Sequence, residues 1–160
     1  MTRIRSKAAH ALLLLLSASP ALTACEDDPF LPRFTADLDE ARATWERQGI
    51  TSYRYTLVKS CGECLPQSAA PARIEVRDGV PVSVEALMPT RPIDRQYFDA
   101  YDTVEELFTV IEDGLAQDPY QFQARYHEQR GYPVGYSFDL DRQAVDDEGG
   151  FSIIDFEVIP

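Results

Sequence analysis

The chain has 160 residues, with 27 Asp or Glu against 15 Lys or Arg, a formal net charge of −12 and 44% hydrophobic residues. Beyond a short N-terminal signal and tether, a stretch of about 125 residues remains, which suits one packed core and no more. The acidic balance repels phosphate backbones and excludes nucleic acid as a partner, while cationic partners, metal ions or plain solubility all fit it.

The first residues carry an export signature. Arg3, Arg5 and Lys7 form a basic start, and an apolar run from Ala8 to Ala24 follows. Its core, Ala11 to Leu16, is too short for a bilayer that needs about 20 apolar residues. Leu22-Thr23-Ala24-Cys25 then places small residues before a cysteine. This predicts a lipoprotein signal peptide over residues 1–24 and a lipidated Cys25 as the first mature residue. The membrane is then a partner through N-terminal acyl chains, with no transmembrane helix required. An ordinary secretory signal cut at the same place would leave Cys25 as a free thiol. Cleavage removes three basic residues and no acidic one, leaving 12 Lys or Arg against 27 Asp or Glu, or 12 − 27 = −15. Glu26, in place of aspartate, favours the outer membrane where one exists. The expected location is that of an exported bacterial lipoprotein on the cell membrane or outer membrane, its domain facing the extracytoplasmic side.

Residues 25–36, with Pro29 and Pro32, show neither helical nor strand period and read as a lipidated tether; residues 37–160 read as a single domain. A helix is predicted from Asp37 to Gln48, where Asp37 and Glu40 form a capping pair, Leu38, Ala41 and Trp45 share a face, and Gly49 suits a left-handed ending. Tyr53, Tyr55 and Leu57 alternate with Arg54 and Thr56, and Ala72, Ile74 and Val76 with Arg73, Glu75 and Arg77, giving two strands with one wet face each. The third strand places Val80, Val82, Val84 and Ala86 inward. That requires a three-residue loop Arg77-Asp78-Gly79, with Val76 opposite Val80 and Ile74 opposite Val82.

Residues 87–102 form a connector, after which Thr103 and Glu106 open a second helix with the stripe Val104, Leu107, Phe108, Ile111 and Leu115. Strands follow at Tyr120 to Tyr126, Val134 to Leu140 and Phe151 to Ile159, the last breaking phase at Ile153-Ile154, as a bulge or a strand buried on both faces does. The expected fold is α+β, a six-stranded antiparallel sheet with two helices on one face in the order α-β-β-β-α-β-β-β. Gly79-Val80-Pro81-Val82 and Gly131-Tyr132-Pro133-Val134 align at an offset of 52, through either duplication or shared turn chemistry.

Outside the cytosol, Cys61 and Cys64 in Cys-Gly-Glu-Cys should oxidise to a disulfide. The alternatives are a redox pair, for which Leu65 to Pro71 offers little helical character, and a zinc site, which lacks two further ligands. Asp139, Asp141, Asp146, Asp147 and Glu148 form a weak calcium candidate that departs from the helical calcium-loop pattern. The polar sheet face, with Arg73 and Arg125 among Arg54, Glu75, Arg77, Gln121, Gln123 and His127, reads as a docking surface or a solvated one. Tyr97-Phe98-x-x-Tyr101 reads as a partner platform or a core cap. His127 stands in no catalytic pattern, and no cofactor is implied. The reading is a non-enzymatic binding or envelope-interaction module with an envelope protein as partner; the alternative is a thiol-disulfide-active envelope protein using Cys61 and Cys64.

The ordered set Trp45, Gly49-Ile50-x-x-Tyr53-x-Tyr55, Cys61-x-x-Cys64, Asp78-Gly79, Thr103-Val104-x-x-Leu107-Phe108, Gly131-Tyr132-Pro133 and Asp147-Glu148 resembles a family of small bacterial lipoproteins known as a domain of unknown function. The resemblance covers residues 37–159. It implies an exported, anchored α+β domain and brings no catalytic residues with it.

Overall fold

The structure, a computed structural model, describes residues 30–88 and 90–160; the predicted signal peptide and Cys25 lie outside the described residues. The first helix, α1, runs Phe30–Gln48 and so begins well before the Asp37 capping pair, taking in part of the expected tether. Pro32 does not stop it, because a proline in the first turn gives up an N–H that has no intrahelical acceptor. Phe34 ties the added turns to the sheet, its ring centroid 4.9 Å from that of Phe122. Gly49 closes the helix at φ 61°.

The remaining elements are β1 (Tyr53–Cys61), α2 (Pro66–Ala69), β2 (Ala72–Arg77), β3 (Val80–Ala86), a 3-10 helix (Arg95–Tyr101), α3 (Val104–Leu115), β4 (Gln121–Tyr126), β5 (Pro133–Asp139) and β6 (Gly149–Val158). The six-stranded antiparallel sheet is present, in the order β3-β2-β1-β6-β5-β4. The expected α-β-β-β-α-β-β-β order with two helices is overturned: the described residues hold four helical segments, two of them inserted between strands or ahead of α3. Both additions have local causes. Pro66 opens α2 where its missing N–H costs nothing, and Leu65 O accepts from the backbone of Ser68 and Ala69 and from the Ser68 hydroxyl. Asp94 caps the 3-10 helix through Gln96 N–H, and Phe98, fully buried, holds it down.

One face of the sheet carries the core. Tyr53, Tyr55, Leu57, Ile74 and Val76 meet Leu38, Ala41 and Trp45 of α1 and the whole predicted α3 stripe, Val104, Leu107, Phe108, Ile111 and Leu115. Trp45 is the hub: its ring stands edge-on to Tyr53, Tyr132 and Phe156, and its Nε1–H donates to Glu105 Oε1 at 2.8 Å. Gly131, at φ 80°, lets the β4–β5 turn press on α1, since a Cβ there would stand 2.2 Å from Ala41 O.

The β2–β3 hairpin corrects the expected register. Arg77 pairs with Val80 across a two-residue Asp78-Gly79 turn, both residues at positive φ, and Val76 faces Pro81. Left alone, that register would set Ile74 beside Ser83; the irregularity between Glu75 and Val76 brings Ile74 opposite Val84 instead. Proline lacks the N–H that would continue the ladder, so the extra residue is absorbed there rather than in the turn. Val80 and Val82, expected inside, are 59% and 55% exposed on the sheet edge.

The β4–β5 hairpin repeats the device: Tyr126 faces Pro133 and the register shifts between Arg125 and Tyr126. Its loop is longer, and β4 lies at an edge where β2, the strand it aligns with, has a neighbour on each side; what the two share is the proline hairpin. Of the two readings of the β6 phase break the bulge is present, set just past Ile154 with Asp155 at φ 54°; it leaves Ile154 exposed and turns Phe156 back to the core.

Candidate functional site

The cysteine pair sits where the end of the central strand leaves the sheet. Cys61 pairs with Gly149 and Ser60 with Gly150, so the turn Cys61-Gly62-Glu63-Cys64 stands beside the acidic loop that leads into β6. Cys61 and Cys64 form a disulfide, their Cα atoms 5.4 Å apart. Cys61, Gly62 and Glu63 are exposed and Cys64 is half-buried, which puts the bond at the surface.

Glycine at 62 is a packing requirement. A Cβ there would lie 2.6 Å from Asp146 Cα, so the loop rests its backbone on the disulfide turn. The loop is held by its own carboxylates: Asp141 N–H donates to Asp147 Oδ2 at 2.7 Å, and Gln143 N–H to Asp141 Oδ1 at 2.9 Å. Two of the candidate calcium ligands are therefore occupied with backbone. Among the described residues no group of three or more His, Cys, Asp or Glu is placed to hold a metal ion.

Beside the disulfide lies an open cleft of about 350 Å³. Cys61 is part of its lining, Tyr101, Phe138 and Leu140 supply apolar surface, and Asp146, Asp147 and Glu148 supply an acidic wall. Lys59 also reaches it, but its ammonium is turned inward: Nζ donates to Tyr97 O at 2.7 Å and sits 4.3 Å from the Tyr101 ring centroid and 5.4 Å from that of Phe98. Burial lowers the Lys59 pKa from its ordinary value.

Of the two readings of the aromatic connector, its packing fits the core cap. Phe98 is fully buried, Tyr97 packs partly against the core, and Tyr101 stands edge-on to Phe151 at 6.1 Å. These rings cap the core and cage Lys59, and Tyr101 alone of the three lines the cleft. Arg73 and Arg125 are exposed on the opposite sheet face, as expected, but β2 and β4 are four strands apart, roughly 19 Å. They do not form one site. Arg125 lies over Gly135, where a Cβ would come within 2.7 Å of its Nη2. On the same face Arg54 is taken up by Glu157 and Arg77 by Glu75. His127 Nδ1 accepts from the N–H groups of Gln129 and Arg130, which makes it a turn-holding residue.

A second polar cluster was not legible in the sequence. Asp102, 3% exposed, pairs with Arg95 at the junction of the 3-10 helix and α3. Glu105 accepts from Trp45 and, at 3.3 Å, from the Tyr53 hydroxyl, which itself accepts from Val104 N–H at 2.9 Å. The Tyr55 hydroxyl donates to Tyr101 O at 2.6 Å. The Glu106 carboxyl is pushed up to about 7, first by burial and then by Asp102 beside it. Spacing alone marks Thr103 and Glu106 as a helix start, and the Thr103 hydroxyl does accept from Glu106 N–H at 3.1 Å. The neighbouring aspartate and the tyrosines arrive through the fold.

No curated protein and no solved structure matches this chain. A family profile does match, over residues 37–158, and the chain belongs to that family, described as a family of unknown function (DUF6174).

Proposed function

We propose that this family member is a lipid-anchored extracytoplasmic protein, held by an acylated Cys25, whose Cys61–Cys64 pair exchanges disulfides with partner thiols. One observation carries the thiol reading: the bond stands at the surface, with Cys61 lining a cleft, rather than beneath the core. Surface disulfides that a partner can reach are the labile and catalytic kind, whereas shielded ones resist exchange. Among the described residues no helix is long and apolar enough to cross a membrane.

In the forward step a partner thiolate attacks one sulfur of the pair, a mixed disulfide forms, and the other cysteine leaves as a thiolate that takes a proton. A second partner thiolate then attacks the partner's own sulfur and releases the first cysteine. The partner loses two electrons and the pair gains them; a disulfide-bearing oxidant of the envelope returns the pair to its oxidised state. A peptide dithiol mixed with equimolar oxidised protein tests this. It should lose two thiols as the protein gains two, and oxidation no faster than with a Cys61→Ser/Cys64→Ser variant would refute the reading. Incorporation of labelled palmitate, lost in Cys25→Ser, tests the anchor. The reading as an envelope-interaction module rests on the sheet face away from α1 and α3, where Arg73 and Arg125 are exposed.

A further inference from the structure

We infer that the cleft beside Cys61 selects cationic thiol partners, such as polypeptide segments whose cysteine is flanked by lysine or arginine; this rests on the exchange reading above and names its substrate class. Cys61 lines the cleft together with Tyr101, Phe138 and Leu140, so a partner that presents a sulfur to Cys61 brings its flanking residues onto those side chains. The half-buried rings among them suit the aliphatic stems of long basic side chains. The wall then supplies charge. Asp146, Asp147 and Glu148 stand along it and Glu63 lies within the disulfide turn itself.

Against these carboxylates the lining of the cleft carries one cation, Lys59. Among the described residues neither Glu63, Asp146, Asp147 nor Glu148 takes part in an ion pair. Arg142, the basic residue of the same loop, is drawn off over the Tyr120 ring at 6.0 Å and does not line the cleft. Lys59 spends its ammonium on Tyr97 O and two rings. A concave wall of one sign raises the local concentration of the opposite charge and turns away its own. Attachment of the loop to Gly62 keeps that wall against the sulfur.

The test compares rates of reduction of the full-length protein by cysteamine, a cation, and 2-mercaptoethanesulfonate, an anion. Each rate is divided by that of an isolated peptide spanning residues 59–66 with the same disulfide, which removes the intrinsic reactivity of the thiols. The normalised cation-to-anion ratio should be about fivefold or more at low salt and fall toward one at high salt. Asp146→Asn/Asp147→Asn/Glu148→Gln, which keeps the acceptor oxygens, should lose most of the preference; Glu40→Gln/Glu46→Gln/Glu128→Gln, equal in charge and outside the cleft, should keep it. A ratio near one in the parent protein, or equal losses in both variants, would overturn the inference while leaving exchange intact. Failure of both thiols to reduce the pair would instead strike the exchange reading, and this inference with it.

Discussion

Gly131→Ala is the sharpest perturbation of the scaffold, because its cost divides into two parts that the structure separates. Gly131 sits at φ 80°, and an alanine held there carries a left-handed backbone penalty of about 1–2 kcal/mol. Its Cβ would also stand 2.2 Å from Ala41 O and 2.8 Å from Trp45 N, both backbone atoms of α1. Helix backbone cannot swing aside as a side chain can, so α1 must lift from the β4–β5 turn, an overpacking cost of about 1–3 kcal/mol. Gly79 provides the control: φ is 77°, nearly the same, and a Cβ there meets nothing within 4 Å. Gly49, at φ 61° and equally open, is a second control. Thermal and urea unfolding should show Gly79→Ala and Gly49→Ala losing about 1–2 kcal/mol each, and Gly131→Ala about 2–5 kcal/mol. Near-UV circular dichroism of Trp45 should change in Gly131→Ala alone. Equal losses in all three variants would refute the seating of α1 on that turn.

Glu106 gives the fold a pH dependence of defined sign. Its folded pKa is raised, to about 7, so the stabilisation is full below the unfolded value near 4.5 and is lost as pH rises through 7. Discounted for solvent screening, the effect should be about 1 kcal/mol, read as a decline in melting temperature over that window that Glu106→Gln abolishes. A flat profile in the parent protein would contradict the burial of this carboxyl beside Asp102. Reduction of Cys61–Cys64 should lower stability by about 2 kcal/mol, the chain-entropy value for so small a ring, and leave the unfolding transition cooperative. Global unfolding on reduction would mean that the disulfide holds the core rather than a surface turn.

Periodicity made the main helices and most strand faces legible. Trp45 and the Val104 to Leu115 stripe follow helical spacing, and all of them are buried. What stayed hidden depended on local devices without a period. The 3-10 helix is fixed by an Asp94 cap and one buried ring, and α2 by Pro66 and a single carbonyl. In the β2–β3 hairpin, alternation suggested that valines point inward, yet Pro81 moved the extra residue from the turn into the strand and left Val80 and Val82 at the edge. The functional site shows the same division. Cys61-x-x-Cys64 is visible as a motif, but its acidic neighbour comes from residues about 85 positions away, through the pairing of Cys61 with Gly149. No local pattern reports such a pairing, nor the resting of Asp146 on Gly62.

The reduction potential of the Cys61–Cys64 pair tests the account most directly. After equilibration of the full-length protein with defined ratios of reduced and oxidised glutathione, trapped thiols are counted by alkylation and mass spectrometry. An exchange-active pair should titrate within the glutathione range, above about −250 mV; a pair still oxidised below about −300 mV would be a structural staple, and the proposed function would fall.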